Sequence, residues 1–209
     1  MMVVAESIIK SITEQLKTQH LVQIPASEAE YMAVIAELPF KIEYHQSEII
    51  TMGLASIWHE IIIMNLGAFL HSLFKNDDYL VMGSNSGVYA PKFEGGFYMP
   101  DVLVVKGTPQ FKEKSNALIT NPYLVFEVLS PATSSFDTSD KLEEYKDFES
   151  VKQIVYIFQD RLKVTTFIRT DSPNTWLNQD FKGLNDSLQI EGVSLSLSDI
   201  YRKVQFPVK

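Results

Sequence analysis

Two acids stand in stretches too apolar to hold them, and this limits what the chain can fold into more than any other feature. Tyr98-Met99-Pro100-Asp101-Val102-Leu103-Val104-Val105 puts a carboxylate at the head of one strand, and Tyr123-Leu124-Val125-Phe126-Glu127-Val128-Leu129 puts a second inside another. Unbroken runs of Val, Leu and aromatic residues are typical of strands covered on both faces. An ionised carboxylate there is strongly disfavoured unless a cation compensates it. Glu127 must therefore meet something positive, either a divalent metal shared with Asp101 or a plain salt bridge.

The totals exclude several chemistries. There is no cysteine, so disulfides, thiolate metal sites and cysteine nucleophiles are ruled out, and a reducing compartment fits. His20, His45, His59 and His71 lack the close spacing of a zinc hydrolase. A formal net charge of -8 argues against a broad basic surface for nucleic acid, while leaving room for a local basic cleft. The first twenty residues carry Glu6, Lys10, Glu14 and Lys17 instead of an apolar export core, and His59, Glu60, Asn65 and His71 interrupt the run from Ile57 to Leu73. The expectation is a cytoplasmic protein without a membrane span.

The 209 residues read as an N-terminal amphipathic helix within 1–24 followed by one domain over 25–209. Val4, Ile8, Ile12 and Leu16 form the helix stripe, which packing or a second copy could cover, so a homodimer is one expectation. Ser27 caps a short helix that ends at Pro39, and Lys41 to Met52 alternates as a hairpin turning near Gln46-Ser47. By alternation alone, Glu43 on the first arm faces solvent.

Ser56 to Phe74 reads as a helix with a broad apolar surface running from Ile57 and Met64 to Leu73, with His59 in its first turn. Tyr79 to Ala90 and Phe97 to Lys106 read as two long strands joined across Pro91 to Gly96. Thr108 to Ile119 is a polar connection, partly helical. Ser134 to Ser150 reads as a helix capped at Asp137, with Lys141 on the same face as Tyr145 and Phe148, and a strand pair follows around Asp160-Arg161.

Helix, three strands, helix, strand, with acids on the second and third strands, resembles the core of the PD-(D/E)xK restriction-endonuclease-like nucleases. Glu43-Tyr44, His59, Met99-Pro100-Asp101-Val102, Glu127-Val128-Leu129-Ser130-Pro131, Asp137, Lys141 and Tyr145 resemble the pattern of the Uma-type restriction endonucleases within that superfamily, over roughly residues 25 to 206. The resemblance implies an α/β (α+β) fold of order αβββαβ, in which a mixed central sheet is flanked by helices.

It also implies a magnesium-dependent endonuclease, with manganese as the alternative ion and nucleic acid, DNA first, as substrate. Asp101 and Glu127 would be the metal ligands, Glu43 a third acid, and Lys141 and His59 further catalytic residues. The chain departs from the superfamily in carrying Leu129 two residues after Glu127, where many members have their lysine, and Gln46-Ser47-Glu48 replaces an Asp-Gly-Glu turn. Two other readings compete. One is a catalytically inactive nuclease-fold protein that binds nucleic acid or another protein. The other is a carboxylate-pair sugar hydrolase, which needs both acids facing a polar cleft.

Overall fold

The computed structural model describes residues 2–35, 37, 41–91, 96–131 and 140–206. Pro39, Asp137 and positions 92–95 of the Pro91–Gly96 connection lie outside the described residues. The chain opens with α1 (Met2–Gln15), β1 (Leu21–Pro25) and α2 (Glu28–Ile35), then the hairpin β2 (Ile42–His45) and β3 (Glu48–Met52), then α3 (Ile57–Leu73). Strands β4 (Tyr79–Gly83), β5 (Gly87–Ala90), β6 (Gly96–Tyr98), β7 (Val102–Lys106), β8 (Leu118–Ile119) and β9 (Leu124–Leu129) follow. The helix α4 (Asp140–Asp147) leads to β10 (Gln153–Phe158), β11 (Val164–Arg169), β12 (Trp176–Phe181), β13 (Ser187–Ile190), β14 (Val193–Ser196) and the turn of helix α5 (Leu197–Ile200).

Two six-stranded sheets result, ordered β1-β3-β2-β6-β5-β8 and β12-β11-β10-β9-β7-β4, with β13-β14 apart. The second contains the restriction-endonuclease-like core: α3, β4, β7, β9, α4 and β10 in chain order, with β9 and β10 parallel and β7 antiparallel to β9. A parallel neighbour requires a crossover, and α4 lies in that connection.

The two long strands read from the sequence are each broken. β4 pairs with β7 in one sheet while their continuations, β5 and β6, pair in the other, so the hairpin turns a corner between sheets. Pro100 explains one break, because it has no N–H to donate to a ladder. Asp101 is therefore at the corner itself, immediately before β7.

The β2–β3 turn has Gln46 at φ 46 and Ser47 at φ 61. Positive φ at both positions is the two-residue geometry whose twist suits a hairpin, here adopted without glycine. All four β2 residues are buried, so Glu43 is fully covered (0% exposed) and not solvent-facing. Strand alternation assumes one wet face, but β2 is an inner strand with Ile42 and Tyr44 packed in one apolar cluster and Glu43 turned to the opposite side.

The α1 stripe packs within the chain, where Ile8 and Ile12 share a cluster with Val22, Tyr31 and Val34. Two other expectations are corrected. On α3 the buried stripe is Ile62, Leu66 and Leu70, whereas Ile57 and Met64 are 66% and 70% exposed. No helix forms in residues 108–119; Phe111 bridges Ile119 and Lys112 N–H donates to the Leu118 carbonyl at 2.9 Å. Among the described residues, no helix is long and apolar enough to cross a membrane.

Candidate active site

The β7–β9 register pairs Val102 with Phe126, Leu103 with Val125 and Val104 with Leu124. The ladder ends at the Val102–Phe126 pair, one residue short of Asp101 and of Glu127. The Val128 N–H donates to Asp101 Oδ2 at 2.8 Å and holds the corner to β9.

Each acid is met by its own cation. Lys41 Nζ donates to Asp101 Oδ1 at 2.9 Å, and His59 Nε2 lies 3.2 Å from Oδ2. Burial would raise the Asp101 carboxyl, but Lys41 and then His59 outweigh it and hold the group below the usual carboxylate range. Burial likewise disfavours the charged forms of Lys41 and His59; the charges of Asp101, Glu127 and Glu43 together outweigh it at Lys41, and the Asp101 hydrogen bond and charge do so mainly at His59, so both are raised. Lys141 Nζ is 2.9 Å from Glu127 Oε1 and 3.0 and 3.1 Å from the two oxygens of Glu43. Glu43 also accepts the Met99 N–H at 2.7 Å. The Tyr145 hydroxyl donates to Glu127 Oε1 at 2.8 Å, and burial followed by the Glu127 charge pushes its pKa well up, so it remains a donor.

Lys141 therefore joins β2 of one sheet to β9 of the other. Leu129, which stands where a lysine is common, is buried in the apolar cluster that holds Leu142 and Tyr145 of α4. An ammonium reaches Glu127 from α4 instead, that of Lys141. Lys41, His59, Asp101, Glu127 and Lys141 line one cavity of about 600 Å³, together with Ser130 and Gln159. Glu43 is set behind Lys141 and does not line it.

The residues present suit a hard divalent cation. Asp101, Glu127 and Glu43 face Lys41, Lys141 and His59, three acids against three basic groups, so the fit rests on the oxygen donors and not on an excess of charge. No group of three or more His, Cys, Asp or Glu side chains among the described residues is placed to hold a metal. A carboxylate pair is nonetheless the usual protein share of a magnesium site, which keeps several waters and takes substrate oxygens.

Sequence reasoning missed two features. Lys41 is the first: alternation puts it on one strand face with Glu43 and His45, but nothing in the sequence ties that face to Asp101. The second is a buried group beside Lys141: His45 Nδ1 is 2.6 Å from the Tyr98 hydroxyl and 2.9 Å from Glu144 Oε1, and Tyr98 donates to Glu144 Oε2. No local pattern announces it, because it joins β2, β6 and α4. Gly96 is what admits it: a Cβ there would lie 2.8 Å from both Glu144 Oε2 and the Tyr98 oxygen. Gly96→Ala is expected to cost about 1–3 kcal/mol by overpacking, read as a lower urea midpoint at unchanged slope.

The His59–Asp101 pair also fixes a pH dependence. The raised His59 contributes stability that is fully present below its unfolded pKa of about 6.5 and is lost as pH rises through the folded value. The depressed Asp101 contributes above its unfolded pKa of about 3.9, and that part is lost only as pH falls through the folded value. Urea midpoints should therefore decline as pH rises above about 6.5, and His59→Gln should flatten the decline; an unchanged slope in the variant contradicts the pairing.

A mixed sheet flanked by helices in this order, with an acid pair at a sheet corner and a lysine from the following helix, defines a restriction-endonuclease-like protein. A solved structure described as a putative nuclease belonging to DUF820, from Anabaena variabilis, superposes with a TM-score of 0.64 at 19% identity, covering 85% of this chain and 98% of that one. The family model Uma2, described as a putative restriction endonuclease, matches residues 29–201, and the chain belongs to that family. Two uncharacterized Synechocystis proteins are relatives. One, sll1609, is 29% identical over 77% of this chain and 90% of its own; the other, slr1290, is 26% identical over 79% and 86%.

Proposed function

We propose that this protein is a magnesium-dependent endonuclease that hydrolyses phosphodiester bonds, DNA being the first substrate to test. The observation that carries this reading is that Asp101, Glu127 and Lys141 line one cavity. Magnesium, or manganese in its place, supplies Lewis-acid charge and an activated water when bound. Asp101 and Glu127 present the oxygen ligands.

Lys141, held by Glu43, keeps a positive charge beside Glu127 where negative charge grows on a scissile phosphate. His59 and the Val128 N–H fix the orientation of Asp101, and Tyr145 fixes that of Glu127. A cytoplasmic site of action accords with the cysteine-free composition.

The test is a panel of DNA and RNA substrates, single- and double-stranded, incubated with magnesium, with manganese and with chelator. Metal-dependent cleavage that disappears in Asp101→Asn is the predicted result. A second reading has one observation in its favour: both acids already have a lysine partner at 2.9 Å, as a catalytically inactive binding protein could. Retained nucleic-acid binding with no cleavage under any metal would select it.

A further inference from the structure

The two lysines of the site are not equivalent. Lys141 is 1% exposed and shared between Glu43 and Glu127, so it is locked from two sides. The Lys41 side chain is 24% exposed, lines the cavity, and its ammonium has Asp101 as its one hydrogen-bond partner among the described residues. Its backbone is anchored, because the Thr51 hydroxyl donates to the Lys41 carbonyl at 3.0 Å. The flexible four-carbon stem can therefore swing while the strand stays still.

We propose that Lys41 is an exchangeable counter-ion: it neutralises Asp101 until a divalent cation arrives, then moves its ammonium into the cavity to contact a phosphodiester oxygen of the substrate. This rests on the metal-dependent reading of the site. An ammonium and a divalent ion on the same carboxylate repel one another strongly at a few ångströms in a partly dry cavity. A cation settling on Asp101 displaces the less constrained of its neighbours. The cavity into which Lys41 is released is also the one an anionic substrate enters, so the charge removed from the acid is placed where it attracts a phosphate.

The consequence is a pair of effects with opposite sign. Lys41→Met should bind manganese about tenfold more tightly than the native protein, measured by titration calorimetry with the metal alone. The same variant should bind a short DNA duplex about tenfold more weakly, measured with calcium replacing magnesium. Lys75→Met, which removes an exposed lysine at the far end of α3, controls for net charge and should change neither. Lys41→Gln serves if the methionine variant folds poorly.

A residue that only supports the fold would weaken both affinities together. Manganese affinity equal to or below native in both Lys41 variants overturns the counter-ion role while the metal site stands. Absence of metal binding in native and variant proteins alike overturns both.

Discussion

Lys141→Met is expected to lower the thermal midpoint by roughly 10 °C, the largest stability effect of any single substitution in the site. The ammonium is almost fully buried and is the cation between Glu43 and Glu127, themselves buried in separate sheets. Removing one partner of a buried ion pair typically costs about 3–5 kcal/mol, because the remaining charge keeps its desolvation penalty and loses its compensation. For a chain of this size each kcal/mol shifts the midpoint by about 2–4 °C. A native-like midpoint at neutral pH would show that Lys141 is not the element joining the two sheets.

Asp101→Asn and Glu127→Gln are each expected to reduce metal-dependent cleavage by at least roughly 100- to 1000-fold, the range for loss of a group that meets charge in the transition state. The substitutions preserve shape, so circular dichroism should remain native. Glu43→Gln should fall between these variants and the native protein, since Glu43 acts through Lys141 and lies outside the cavity lining. Cleavage unaffected by both Asp101→Asn and Glu127→Gln would remove the assignment of the site.

Most of the core was legible in the sequence because its strands and helices are specified by local pattern. The apolar runs around Asp101 and Glu127 are buried as expected, α3 begins at the Ser56 cap, and Lys141 and Tyr145 share a buried helix face. Three things were not legible, for one reason: each depends on which elements lie next to one another. Glu43 is buried because β2 became an inner strand of a second sheet. The long hairpin breaks at Pro100 because its two halves join different sheets. Lys41 meets Asp101 from a position sixty residues earlier, which no motif spacing records.

The central claim is that Asp101 and Glu127 jointly ligate a divalent cation, and crystals grown with manganese test it most directly through the metal's anomalous signal. The account predicts one peak between the two side chains, about 2.1 Å from an oxygen of each, with the Lys41 ammonium turned away from Asp101. A structure at saturating manganese with no peak there, and both lysines still seated on their acids, would contradict it.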